Sequence, residues 1–146
     1  MYLDTAIVVK LVTREDDSTH WTKLVDRQIL FSSELMLTEC FSALQRKERE
    51  GALTGPQRQR AWRTIEKDLV ERRLTLVAIS RDILLAANAV LAACHPRIAL
   101  RSLDAIHLAS AQRTQAWPMA TKDLRMRQAA DRLAMPLAPM PDGPSR

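Results

Sequence analysis

The sequence lacks any long apolar run. None of its uninterrupted apolar stretches approaches the roughly 20 residues that a membrane-spanning helix requires. Asp4 and Lys10 interrupt the apolar N-terminus, which is therefore not typical of a secretory signal. We accordingly expect a soluble, cytoplasmic protein without membrane association.

Cysteine is scarce, and repeats are absent. The chain has 2 cysteines, Cys40 and Cys94, in apolar helical contexts without metal-site spacing, so we expect buried thiols rather than a disulfide. It has no internal repeat, low-complexity tract or interdomain linker. Its 146 residues suit one domain with a real core, predicted over residues 1–138, followed by a Pro-rich tail at 139–146 that we expect to be frayed.

Positive charge is in excess. The formal net charge is +5 and the pI is about 9.8, which favours a polyanionic partner. Several basic residues lie on the outer face of a helix predicted from Thr54 to about Arg72: Arg58, Arg60, Arg63 and Lys67. Charged helix faces are usually just solvated, so whether this helix contacts RNA stays open.

Short β-type segments alternate with helical ones along the chain. Strands are predicted at residues 1–3, 28–32, 74–79, 117–120 and 135–138. This alternation predicts one α/β/α sandwich on a mainly parallel sheet of about five strands. In such sheets, ligands bind at the carboxyl ends of the strands.

Two carboxylates come directly after predicted strands. Asp4 follows the first strand and precedes a helix. Thr121-Lys122-Asp123 repeats that arrangement of strand, hydroxyl residue, carboxylate and helix, in which Asp123 is the acid. Helix capping is the simpler alternative for Asp4, because an aspartate at this position accepts a backbone N–H.

Two further acids lie on predicted apolar helices. Asp104 falls in the first turn of a helix over residues 100–111, which we predict to be largely buried, with Ser102 as its N-cap. Glu39 has apolar neighbours one turn away: Leu35, Met36 and Ala43. The alternatives are that Asp104 complements the helix dipole and that Glu39 lies at the edge of an apolar stripe.

Parallel connection places the carboxyl ends of strands at a common edge, so these four acids can converge. Clustered carboxylates repel one another, and they either take up protons or bind hard cations such as Mg²⁺ or Mn²⁺. A cation site of this kind suits phosphodiester hydrolysis by metal-activated water. The basic side chains of Arg101 and Lys122 can neutralise the substrate backbone.

Four segments together resemble the PIN-domain ribonucleases of the VapC toxin type. They are Tyr-Leu-Asp-Thr at residues 2–5, Ser-Ser-Glu-Leu-x-x-x-Glu at 32–39, Arg-Ser-Leu-Asp-Ala-Ile-His-Leu-Ala at 101–109 and Thr-x-Asp at 121–123. The resemblance covers residues 2–138 and is specific in the order and spacing of the segments.

The resemblance implies roles for individual residues. The positions that match the family's metal-binding acids are Asp4, Glu39, Asp104 and Asp123. The hydroxyls of Thr5 and Thr121 match positions that assist the site. The family further implies Mg²⁺- or Mn²⁺-dependent RNA cleavage, a homodimer, and inhibition by a small antitoxin whose tail occupies the active-site groove.

Two features need separate interpretation. Ala134-Met135 stands where a glycine commonly precedes the family's last strand, a departure that concerns a turn rather than the chemistry. His107 belongs to the family's usual helix without being a metal ligand, and we interpret it as a structural histidine. Two other function classes stay open: a non-catalytic basic module that binds nucleic acid or protein, with the acids as caps, and a related fold that acts on DNA ends or flaps.

Overall fold

Four short parallel strands form the centre of the computed structural model, which describes residues 1–141. The strands are β1 (Tyr2–Leu3), β2 (Leu30–Ser33), β3 (Leu74–Val77) and β4 (Met119–Ala120). Their order across the sheet is β3-β2-β1-β4, and every neighbouring pair is parallel. The carboxyl ends of the strands therefore meet at one edge.

The helices of the described part of the chain follow local capping chemistry. They are α1 (Thr5–Val12), α2 (Ser18–Val25), α3 (Leu35–Arg49), α4 (Gly55–Val70), α5 (Arg81–Cys94), α6 (Ser102–Thr114) and α7 (Leu124–Arg132). Asp4, Thr54, Ser80 and Asp123 each accept a backbone N–H in the first turn of the helix that follows them. Gly51 follows α3 with φ +76°, which glycine adopts without strain.

Apolar side chains cover both faces of the sheet. Because successive strand residues point to opposite faces, Tyr2 and Leu3 enter different cores. Tyr2 packs in a cluster with α5, α6 and α7 that includes Leu108. Leu3 packs in a second cluster, with α1, α3 and α4, that includes Ile7 and Met36. The predicted α/β/α sandwich is confirmed.

The prediction of a fifth strand at residues 135–138 is wrong. This segment forms one isolated parallel bridge, between Met119 and Leu137, so the sheet has four strands within residues 1–141. Pro136 and Pro139 have no backbone N–H to donate, so this segment lacks donors for the further hydrogen bonds that a longer strand would need.

Helix α6 begins differently from the prediction. Arg101, not Ser102, occupies the N-cap position, and Ser102 is the exposed first residue of the helix. Asp104 does the capping instead, because its Oδ2 accepts the backbone N–H of Arg101 at 3.3 Å. The helix is buried from Ala105 onward on most of its surface, as predicted, whereas Leu103 is exposed.

Two simpler predictions can be compared with the described residues. Cys40 and Cys94 are buried free thiols, as predicted. Between residues 1 and 141, each helix is too short or too polar to cross a membrane. Most of the predicted tail, from residue 142 onward, lies outside the described part of the chain.

Candidate active site

One cleft of about 710 Å³ is lined by all four predicted acids: Asp4, Glu39, Asp104 and Asp123. Asp4 follows β1 and Asp123 follows β4, so the cleft opens at the carboxyl edge of the sheet. This is the edge at which parallel sheets bind ligands. The four side chains come from four different elements, and the fold brings them to one surface.

Asp4 is deeply buried, with 4% of its surface exposed. Its Oδ1 accepts the backbone N–H of Ile7 at 2.9 Å, which caps α1, and its Oδ2 accepts the hydroxyl proton of Thr121. Burial raises the pKa of Asp4, and the charge of Asp123 raises it further, whereas the two hydrogen bonds oppose the shift. The ionised form of Asp4 is thus disfavoured in the folded chain.

Asp123 is joined to Asp4 through a threonine. Its Oδ1 caps α7 by accepting the backbone N–H groups of Arg125 at 2.8 Å and Met126 at 3.0 Å. Its own backbone N–H donates to Thr121 Oγ1 at 3.1 Å. One fully buried hydroxyl therefore contacts both residues and fixes their relative position.

Asp104 lies near Asp123 and is half-buried. Burial raises the pKa of Asp104, the backbone N–H of Arg101 opposes that shift, and the charge of Asp123 adds to it. Asp123 therefore lies within electrostatic reach of both Asp4 and Asp104.

Glu39, in the second turn of α3, has the opposite electrostatic character. Its Oε2 accepts hydrogen bonds from the Thr5 hydroxyl and from His107 Nε2, the latter at 2.8 Å. Burial alone would raise the pKa of Glu39, but these two donors and the nearby imidazole lower it overall. Glu39 is therefore held as a carboxylate.

The capping role and the cleft position coexist in the three aspartates. Each aspartate accepts a backbone N–H near a helix start, so each one has a capping role in addition to its position in the cleft. Within residues 1–141, no hydrogen bond goes to Asp104 Oδ1, Asp123 Oδ2 or Glu39 Oε1. One oxygen of each of these residues anchors the side chain, and the other can bind a ligand.

The donor chemistry of the cleft fits a hard divalent cation, because Mg²⁺ and Mn²⁺ prefer carboxylate oxygens. Among residues 1–141, no three His, Cys, Asp or Glu side chains are already close enough to hold a metal ion. The site is thus a set of separately anchored carboxylates around one cleft, and a cation that binds there must draw their oxygens together.

Basic residues also line the cleft, and sequence reasoning identified only Arg101 among them. The others are Lys10, Arg46 and Lys47. Lys122, the second predicted phosphate contact, instead donates to Asp17 at 2.6 Å and does not line this cleft. Helical spacing could have found Arg46, because residues seven apart on a helix share a face and Arg46 follows Glu39 at that interval.

Both lysines of the cleft are paired with an acid that was not predicted from the sequence. Glu15 lines the same cleft and forms salt bridges with Lys10 and with Lys47, the latter at 3.0 Å. It lies in the loop between α1 and α2, so neither a strand end nor helical spacing in the sequence indicates that it belongs to the cleft.

A parallel sheet between helical layers, with an acid-lined cleft at its carboxyl edge, defines the structural class of this protein. Residues 1–132 match the family described as PIN domain. The chain is also similar to Ribonuclease VapC46 of Mycobacterium tuberculosis, with 35% identity over 138 residues that cover 92% of this chain and 93% of the relative. The chain belongs to the PIN-domain family, and its predicted resemblance to the VapC type is confirmed.

Proposed function

We propose that this protein is a divalent-metal-dependent endoribonuclease, the toxin of a type II toxin–antitoxin module. The single observation that carries the proposal is the position of Asp4, Glu39, Asp104 and Asp123 around one cleft in a PIN-domain chain. The name of the relative, Ribonuclease VapC46, supports RNA as the substrate. In this proposal the four acids hold Mg²⁺ or Mn²⁺.

A bound cation of this type supplies an activated water and offsets the negative charge that develops on the phosphodiester. The chain's own residues prepare the ligand oxygens. Thr121 links Asp4 to Asp123, while Thr5 and His107 anchor Glu39, so little side-chain freedom is lost when a cation binds. The anchored side chains would still have to approach one another around the cation, since no three of them lie at metal-binding distance within residues 1–141.

Burial of Asp4 has a functional meaning in this proposal. A carboxylate whose ionised form is disfavoured by burial gains more from a neighbouring cation than a solvated one does. The raised pKa values of Asp4 and Asp104 thus describe a site whose charge is best balanced by a positive ligand.

The basic rim of the cleft provides the contacts to the RNA backbone. Arg46 and Arg101 are exposed, and the two lysines beside them are partly buried. Because basic side chains displace counterions from phosphates, substrate affinity should fall with salt concentration. The exposed arginines would contact the substrate strand, while the acids act on its phosphodiester.

The test is cleavage of total cellular RNA by purified protein in Mg²⁺, Mn²⁺ or chelator, with Asp104→Asn compared with Asp82→Asn. Both aspartates lie in the first turn of a helix, but Asp82 is exposed and outside the cleft. Comparing the two variants therefore distinguishes the loss of a charge that complements the helix dipole from the loss of a carboxylate in the cleft. We expect discrete fragments only with metal, unchanged by Asp82→Asn and abolished by Asp104→Asn.

Other outcomes would favour the alternative functions. RNA binding that persists in chelator and survives Asp104→Asn, with no cleavage by the folded parent, would support a non-catalytic basic module. Cleavage of flapped or single-stranded DNA in preference to RNA would support action on DNA ends. Either result would overturn the ribonuclease proposal.

The proposal includes two protein partners. A second copy of the chain is supported by the exposed Leu84 and Leu85, neighbouring apolar side chains on α5. Light scattering at micromolar concentration should give twice the chain mass, and a monomer would contradict it. The antitoxin is inferred from family membership, and its tail, if it occupies the cleft, should stop RNA cleavage.

A further inference from the structure

We infer that His107 is a positioning residue that orients Glu39 for metal binding, and that Tyr2 fixes the His107 ring. The inference rests on the proposed function, because the metal-binding role of Glu39 gives the orientation its purpose. It adds two residues to the site, neither of which is a metal ligand in this account.

The three side chains form one continuous hydrogen-bonded row from the core to the cleft. Tyr2 Oη lies 2.9 Å from His107 Nδ1, and His107 Nε2 lies 2.8 Å from Glu39 Oε2. Tyr2 and His107 are buried, with 0% and 3% of their surfaces exposed, whereas the Glu39 side chain is 27% exposed. The row thus begins in the interior and ends at a cleft carboxylate.

The chemistry of the partners sets the direction of each hydrogen bond. An ionised carboxylate can only accept, so Nε2 carries a proton and donates to Glu39. When only Nε2 is protonated, Nδ1 is an acceptor, and it takes the hydroxyl proton of Tyr2. Thr5 Oγ1, at 3.2 Å from Nε2, donates to the same Glu39 oxygen, so Oε2 is held by two donors.

This arrangement leaves Glu39 Oε1 as the oxygen that can meet a cation. A glutamate has three side-chain torsions, and an unanchored one samples many rotamers. Two donors on Oε2 select one of them, and the buried Tyr2 prevents the imidazole from rotating away. If His107 only filled space in the core, an apolar residue would do equally well. Instead, each polar atom of the row has a hydrogen-bond partner on the path that leads to Glu39.

The test compares two amide variants that differ in reach. In His107→Gln the side-chain amide extends to the position of Nε2 and keeps a donor for Glu39. His107→Asn places its amide near Nδ1, so it can contact Tyr2 but cannot reach Glu39. Mn²⁺ affinity by calorimetry, kcat and KM for RNA, and Tm in chelator are measured for the parent, for both variants, for Tyr2→Phe and for Glu39→Gln.

We expect His107→Asn to weaken Mn²⁺ binding and lower kcat by roughly 10- to 100-fold, the usual effect of losing a partner that orients a ligand. His107→Gln should recover most of both quantities, and KM for RNA should change little in either. Nitrogen NMR of the parent should find the ring proton on Nε2. Tyr2→Phe should lie between the parent and His107→Asn in Mn²⁺ affinity.

Three results would overturn the inference, and they are distinguishable. If His107→Asn binds Mn²⁺ as tightly as the parent, His107 does not orient Glu39. If Asn and Gln lose affinity equally and in proportion to their loss of Tm, the role of His107 is purely structural. If parent and Glu39→Gln bind Mn²⁺ with the same affinity, the proposed metal site itself is wrong, and the inference fails with it.

Discussion

Replacing Thr121 by valine removes one hydroxyl and changes the side-chain volume little, so it isolates the hydrogen bonds of that hydroxyl. In the native chain the hydroxyl donates to Asp4 Oδ2 and accepts the backbone N–H of Asp123 at 3.1 Å. Thr121 is fully buried, so a water molecule cannot take the place of the lost hydroxyl unless the surrounding residues rearrange. Both partners therefore lose a contact at once.

The magnitude follows from those two losses. A buried polar group left without its partner costs roughly 1–3 kcal/mol, and more when it is charged. Asp123 lies at the cleft and can recover part of its loss from solvent, whereas Asp4 cannot. We expect Thr121→Val to lower the free energy of unfolding by about 2–4 kcal/mol at pH 7 in chelator, or Tm by roughly 6–15 °C.

The assay is denaturant unfolding of the parent, Thr121→Val, Thr121→Ser and Thr114→Val. Serine keeps the hydroxyl and should lose about 1 kcal/mol for the missing methyl group. Thr114 is a matched control, because its hydroxyl donates to the Ser110 carbonyl of its own helix at 3.0 Å and contacts no acid. Equal stability of Thr121→Val and the parent would refute the account of Asp4.

The pH dependence of this variant checks the same argument. The Thr121 bond favours the ionised form of Asp4, so its loss raises the pKa of Asp4 further. The stability difference between Thr121→Val and the parent should therefore shrink at acid pH, where Asp4 is protonated in both proteins. A difference that is independent of pH would assign the loss to packing.

Three further predictions concern other parts of the chain. Ala134 has φ +55°, so Ala134→Gly should raise the free energy of unfolding by about 0.5–1 kcal/mol in denaturant titrations. Burial alone would raise the pKa of Asp17, but its hydrogen bonds, above all those from two lysines, lower the pKa overall. The ionised Asp17 therefore stabilises the fold above about pH 4, and this stabilisation is lost as the pH falls through the lowered pKa. Asp17→Asn should therefore cost about 1 kcal/mol at pH 7 and flatten that acid limb of the stability profile. Burial raises the pKa of Cys40 to about 12, so iodoacetamide should label native Cys40 about a thousandfold more slowly than it labels the unfolded chain.

The parts of the fold that were predictable from sequence depend on local chemistry. Asp4 and Asp123 each follow a strand and cap the next helix, and capping depends only on residues within one turn. Thr54 with Gln57 forms a capping box for the same reason. These starts, together with the alternation of strands and helices, were enough to predict the class of fold.

The errors arise where tertiary context decides between local options. Ser102 is as good a capping residue as Ser80, yet α6 starts at Ser102 itself and Asp104 caps it. The segment at 135–138 has apolar residues suited to a strand, but it forms only one bridge, with Pro136 inside it and Pro139 directly after it. One error concerns where a helix begins and the other whether an edge strand forms, and neither moves an acid away from the cleft.

The contacts of His107 could not be predicted from spacing. Its partner Glu39 is 68 residues away in the sequence, and the two meet at the cleft although α6 and α3 pack in different cores. The expectation that His107 is hydrogen-bonded is confirmed, since both ring nitrogens have partners, and its not being a metal ligand stays a prediction. Its position beside a cleft acid depends on the packing of the helices, which no local pattern encodes.

The central claim is that four carboxylates act as one cation-holding unit that cuts RNA. The most direct measurement is the single-turnover cleavage rate in Mn²⁺ of Asp4→Asn, Asp104→Asn and the double variant. If the acids act as a unit, each single substitution should lower the rate at least roughly 100-fold, and the double variant should be no slower than the worse single one. Rate losses that multiply in the double variant, or cleavage that continues in both single variants, would contradict the claim.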